Sequence, residues 1–226
     1  MISENLKIIR DNIAAVCQRA KQSKDEITIV VVTKTATIED IKEVIGLGIQ
    51  DIGENRVQEA TVKFSRLPAL KWHMVGHLQT NKARDAVKLF SLIHSVDSLR
   101  LAMVIDEEAR KINKVQEILI EVNTSDEATK FGLKPEEAIE TVKEIASLKN
   151  LNLKGLMTIA PIVDKPDNAR PYFRALRGLK DKINEFRVTR DELQVLSMGM
   201  TDDYQIAIEE GATMVRLGRA IFGNTD

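Results

Sequence analysis

Short β-branched runs alternating with longer segments whose apolar residues recur every three to four positions constrain this chain more than any other feature. A β-branched run favours an extended strand, whereas recurrence at helical spacing gathers apolar side chains on one helix face. The runs predict strands at 28–33, 50–53, 72–75, 92–96, 117–122, 154–159, 194–197 and 214–217. A first amphipathic helix spans 4–21, and further helical patterns include 37–47, 56–67, 98–112, 134–148, 168–186 and 202–210. Thr37 with Asp40, Ser98 after Asp97, and Thr201 with Asp202 read as helix starts. Alternating strand and helix is the signature of parallel βα units. Eight such units predict a closed α/β barrel, a (β/α)8 TIM-type barrel with an extra N-terminal helix, rather than an open doubly wound sheet.

Composition narrows the function classes. With 226 residues and 43% hydrophobic content, the chain suffices for one sizeable core, and a single domain over 1–226 is expected. No linker interrupts it, and the stretch 164–167 around Pro166 is the one loop expected to vary. Lys and Arg total 33 against 34 Asp and Glu, which leaves no positive field to collect nucleic acid or an anionic membrane. The single cysteine, Cys17, sits in the first helical pattern as a packing residue and cannot form an internal disulfide. The N-terminus carries acids and no unbroken apolar run, and no segment approaches the ~20 apolar residues of a membrane helix. A cytoplasmic protein is expected. Three histidines and one cysteine lack metal-ligand spacing, so no metal site is expected. The sequence also lacks G-x-S-x-G, Walker A and G-x-G-x-x-G motifs.

In a (β/α)8 barrel the chemistry sits at the C-terminal ends of the strands, with phosphate commonly held after strands seven and eight. Lys34 directly follows the first, almost wholly apolar run. It reads either as a solvated strand-end lysine or as a desolvated amine able to condense with an aldehyde. After strand seven, Ser197 and Gly199 in LSMGMTDD precede a helix start. This outlines either a phosphate cradle of backbone N–H groups and a hydroxyl or an ordinary βα turn. In MVRLGRAIFG, period-two alternation turns Arg216 into the barrel, toward either a neighbouring carboxylate or a ligand. Gly218 and Arg219 would complete the strand-eight side of a phosphate site. Asn55 follows strand two as a ligand contact or a helix cap, and His77 follows strand three within reach of the site. His73 and His94 read as satisfied interior histidines.

Taken in order, TKT at Lys34, GENRVQE at 53–59, WHMVGHLQTNK at 72–82, HSVDS at 94–98, GLMTIAP at 155–161, LSMGM at 196–200 and GATMVRLGRAIFG at 211–223 cover nearly the whole chain. Together they strongly resemble the pyridoxal phosphate homeostasis protein family, which is related to the N-terminal barrel of alanine racemase. The resemblance implies that Lys34 holds pyridoxal 5′-phosphate as a Schiff base and that Arg216 faces its pyridine nitrogen. It also implies that Ser197, Gly199, Gly218 and Arg219 surround the phosphate, with Asn55, His77 and Met198 nearby. Four positions depart from the family pattern: Thr37 in place of proline, Ile52 of an aromatic residue, Thr80 of serine, and Arg219 of a small hydroxylic residue. Only the last touches the implied site, and it puts the side chain of Arg219, not its backbone, in question.

An arginine can only donate, so a pyridine nitrogen facing Arg216 stays unprotonated and the ring is a weaker electron sink. Racemisation further needs an acid/base on each face of the substrate. In the related racemases the second base is a tyrosine from the partner subunit's additional domain, whereas Tyr172 and Tyr204 here fall in helical patterns. The resemblance therefore implies a monomeric, non-catalytic protein that carries or buffers pyridoxal phosphate, with transient contacts to apo-enzymes. A weak amino-acid racemase is the alternative, and a barrel acting on a sugar phosphate is a third reading.

Overall fold

The computed structural model describes residues 1–125, 127 and 130–223. Eight parallel strands, β1 (Thr28–Val32), β2 (Asp51–Glu54), β3 (Lys71–Met74), β4 (Leu92–Val96), β5 (Gln116–Glu121), β6 (Leu151–Met157), β7 (Val195–Ser197) and β8 (Met214–Leu217), pair in sequence order. β1 then pairs with β8, Thr28 beside Met214 and Val31 beside Leu217, and the barrel closes. All eight expected strands are present; β6 starts at Leu151, three residues ahead of its pattern.

The helices are α1 (Ile2–Ala20), α2 (Ile38–Gly46), α3 (Val57–Phe64), α4 (Ala83–Leu89), α5 (Leu99–Lys111), α6 (Pro135–Ala146), α7 (Arg170–Glu185), α8 (Tyr204–Glu209) and α9 (Arg219–Phe222). Thr37 closes a capping box with Asp40 at the start of α2, and the Ser98 hydroxyl accepts from the Leu101 N–H at the start of α5. The start expected at Thr201 or Asp202 is corrected to Asp203. Residues 201–203 form a turn instead, because the Asp203 carboxylate accepts the Met200 N–H at 2.6 Å and the Thr201 hydroxyl is taken by the Ala220 N–H at 3.2 Å.

Strand alternation separates two apolar regions. Outward residues such as Val31, Ile52, Trp72, Ile93, Ile118 and Leu217 pack against the helices in the main core. Inward, Val30, Val75, Leu92, Leu119, Met157 and Met214 fill the barrel. Helix α1 buries Leu6, Ile13 and Val16, and donates from Asn12 to the Tyr204 hydroxyl and from Asn5 to the Ile221 carbonyl. It thereby straps the last βα unit to the first. Buried Glu210, at the end of α8, receives Arg170, Arg174 and Arg177 from α7 at 3.0–3.1 Å, which locks those two helices together.

Candidate functional site

Lys34 continues the inward alternation of Val30 and Val32 out of β1 and reaches the mouth in a turn. Its side chain is exposed and makes no hydrogen bond or ion pair among the described residues, as in the solvated strand-end alternative. It opens onto a cavity of about 210 Å³ whose wall includes Asn55, Thr201, Arg216, Gly218 and Arg219. The apolar sides of that cavity come from Val32, Val75, Ile159 and Met200.

Arg216 lies 4% exposed on the barrel side of β8. Its Nη1 donates to the Ser197 carbonyl at 2.8 Å and the Ser197 hydroxyl at 2.7 Å, and Nη2 donates to the Thr158 carbonyl at 2.8 Å. No carboxylate bonds to it among the described residues. A guanidinium has five N–H donors, so Nε and one Nη2 hydrogen remain without a protein acceptor at the cavity wall. Burial pushes its pKa down to about 10, with the charges of Glu121 and Asp203 acting in the opposite direction. At neutral pH it stays a cation. A buried cation with spare donors fits an acceptor on a ligand better than a closed structural ion pair.

The loops after β7 and β8 meet at the same cavity. Gly199 sits at φ +89°, and a Cβ there would stand 2.5 Å from the Ala207 Cβ, so only glycine makes this turn against α8. The turn brings Met200 and Thr201 to the cavity. Arg219 points outward and pairs with Asp202 at 2.5 Å, which joins the two loops through exposed side chains.

The sequence-derived residues therefore divide. Lys34, Asn55, Arg216, Gly218 and Arg219 come together at one cavity; Ser197, Met198, Gly199 and His77 do not line it. The fully buried Ser197 hydroxyl lies behind Arg216 and bonds to His94 Nδ1 at 2.9 Å. Met198 packs in the helix-facing core. His77 pairs with Asp97 at 3.2 Å, stacks on Phe131 with ring centres 3.7 Å apart, and borders an adjoining cleft. Asn55 is not a cap, since α3 starts from Arg56. Thr201 reaches the cavity although its place in the sequence resembles a helix cap. Glu121, inward on β5 beyond Leu119, was also not signalled: its Oε2 has no partner among the described residues, and burial, then Asp97, push its pKa up to about 7. The clue available was a carboxylate ending the apolar run ILIE on its inward period.

These features suit pyridoxal phosphate: an unengaged amine, a buried cation with free donors, and a hydroxyl and a glycine on loops that meet beside them. Among the described residues, no group of three or more His, Cys, Asp or Glu side chains is placed to hold a metal ion, and no helix is long and apolar enough to cross a membrane.

The family profile "Alanine racemase, N-terminal domain" matches residues 5–226. The chain is 42% identical over 223 residues to the pyridoxal phosphate homeostasis protein of Aquifex aeolicus (strain VF5), covering 97% of this chain and 96% of that one. It is 37% identical to the protein of the same name from Escherichia coli (strain K12), covering 100% and 97%. Among solved structures, PipY of Synechococcus elongatus PCC7942 with PLP bound superposes with a TM-score of 0.86 at 32% identity, over 99% of this chain and all of that one. An alanine racemase from Clostridium difficile 630 shares the fold, with a TM-score of 0.78 at 18% identity, over 98% of this chain and 57% of that one.

Proposed function

Because the chain belongs to the alanine racemase N-terminal domain family, and within it to the pyridoxal phosphate homeostasis proteins, we propose that it binds pyridoxal 5′-phosphate at the barrel mouth and carries or buffers it rather than turning over a substrate. The observation that carries this reading is the convergence of Lys34 and Arg216 on one cavity with the loops after β7 and β8. When bound, the cofactor supplies an aldehyde for an amine, a ring nitrogen that accepts a hydrogen bond, and a phosphate dianion. Lys34 offers the amine, and Arg216 directs its spare donors at an acceptor. Thr201, Gly218 and the Arg219 backbone border the anion side, and Asn55 flanks the cavity. Ser197 acts from behind, through Arg216; Met198 and Gly199 set the loop, and His77 stands beside the mouth.

Two features speak for a carrier. Tyr204 is buried under α1 with its hydroxyl accepting from Asn12, and Tyr172 packs against the core, so neither offers a second acid/base at the cavity. Arg216 as the partner of the ring nitrogen leaves that nitrogen unprotonated, which disfavours carbanion chemistry. The proposal extends to a single-domain, monomeric, cytoplasmic chain that meets apo-enzymes transiently.

The test is the visible absorption of the purified protein with pyridoxal phosphate, before and after addition of D- or L-alanine. A band near ~420 nm is expected for the lysine-bound cofactor. It should vanish in Lys34→Ala and persist without racemisation of alanine over hours. Steady racemisation would replace the carrier reading with a racemase, and an unchanged band in Lys34→Ala would move the attachment elsewhere.

A further inference from the structure

Behind the cavity, polar side chains from five strands form one continuous line through the barrel. Arg216 Nη1 meets the Ser197 hydroxyl at 2.7 Å, and that hydroxyl meets His94 Nδ1 at 2.9 Å. His94 Nε2 meets His73 Nδ1 at 2.9 Å, and His73 Nε2 meets Asp51 Oδ1 at 3.0 Å. His94 and Ser197 are fully buried and His73 is 3% exposed, whereas the Asp51 side chain is 22% exposed. Asp51 opens into a separate cleft of about 510 Å³ at the N-terminal end of the strands, beside Arg10, Asp11 and Lys24. The line thus runs from the ligand-facing cation at one end of the barrel to a carboxylate at the other.

Its direction follows from the chemistry of its ends. A guanidinium only donates, a carboxylate only accepts, and each neutral imidazole donates once and accepts once. With both rings neutral, one arrangement satisfies every link. Arg216 donates to the Ser197 oxygen, the Ser197 hydroxyl donates to His94 Nδ1, His94 Nε2–H donates to His73 Nδ1, and His73 Nε2–H donates to Asp51. Turning the rings the other way sets a bare nitrogen against the Asp51 carboxylate and leaves the Ser197 hydrogen without its acceptor. Burial, then the proximity of His73 and Arg216, holds His94 well below its ordinary pKa, consistent with a neutral ring.

We propose that Asp51, His73 and His94 are positioning residues for the cofactor-facing Arg216, and that the one-way relay from Arg216 to Asp51 fixes both histidines as Nε2–H tautomers. The Ser197 oxygen is thereby aimed at Arg216, which keeps the spare guanidinium donors turned to the cavity. The relay couples a carboxylate at the far end of the barrel to a ligand it cannot touch. The tautomer assignment is independent of the proposed function; the effect on binding rests on it.

Proton–nitrogen NMR correlation of the histidine rings in the cofactor-free protein tests the first part. A protonated Nε2 and a bare Nδ1 on both His73 and His94 are expected, and a protonated Nδ1 on either ring overturns the relay. Asp51→Asn tests the second part, since a carboxamide can donate as well as accept and so frees the line to reverse. It should weaken pyridoxal phosphate binding by ~3–10-fold and shift the visible band. Asp11→Asn, in the same cleft but off the line, should leave both unchanged. Ser197→Ala, which cuts the line beside Arg216, should weaken binding in the same direction, and it serves if Asp51→Asn does not fold. Wild-type affinity and band position in a folded Asp51→Asn or Ser197→Ala protein would overturn the positioning role. If the wild-type chain takes up no cofactor, the proposed function fails, and the tautomers alone judge the relay.

Discussion

Glu121 carries a carboxylate oxygen without a partner among the described residues into the barrel interior, and its proton affinity makes it felt in the stability of the fold. Its pKa, raised by burial and by Asp97 to about 7 from the ordinary 4.5, means that the folded chain holds this proton more tightly than the unfolded one. The folded state therefore gains from Glu121 protonation in acid and loses that advantage as pH rises from about 4.5 through 7. Glu121→Gln should stabilise the protein by ~1–3 kcal/mol well above pH 7 and give no gain near the ordinary carboxylate pKa. Urea denaturation at the two pH values checks this, and a pH-independent difference would reject it. At this scale the sequence was legible where alternation governs, since Arg216 turns inward as the period-two pattern implies, and His73 and His94 lie inside as the satisfied histidines expected. It was less legible at Ser197 and Thr201. Alternation and loop chemistry do not reveal which hydroxyl stops beneath an arginine and which emerges four residues later at a cavity.

The turn between β7 and α8 shows how an element, rather than a side chain, brings Met200 and Thr201 to the cavity. Gly199→Ala would force an L residue to φ +89° and push its Cβ toward Ala207. A loss of ~2 kcal/mol or more in stability is expected, accompanied by weaker pyridoxal phosphate binding. Thermal unfolding and a cofactor titration read the two effects, and a variant with both unchanged would show that the turn tolerates a side chain. The eight strands could be read from sequence because short extended runs alternate with longer segments of helical periodicity. The start of α8 could not. Thr201, Asp202 and Asp203 are all competent caps by type, and the selection was made by the contact between Asp203 and the Met200 N–H, which depends on the positive φ just before it.

For the molecule as a whole, closure depends on the pairing of β1 with β8 and on α1, which binds elements from the end of the chain. Leu6 is 1% exposed in that seam, and Leu6→Ala should cost about 2–5 kcal/mol by removing packing next to a partly rigid surface. Denaturation followed both by Trp72 fluorescence and by far-ultraviolet circular dichroism should show one shared, earlier transition. Separate transitions would mean that α1 detaches without opening the barrel. The barrel was legible because its repetition fixes the count of units, whereas the tie from α1 to α8 and α9 rests on contacts more than 190 positions apart, which no local pattern encodes.

The Arg219–Asp202 pair joins the two loops at the mouth, yet both side chains are more than half exposed, 60% and 72%. Exposed pairs of this kind contribute about 0–1 kcal/mol and weaken as salt rises. The floor beneath them is held by buried hydrogen bonds that salt barely reaches. If the proposed carrier role holds, ionic strength should change how long the cofactor stays more than which ligand is chosen, because the exposed pair at the mouth is screened by salt and the buried contacts beneath it are not.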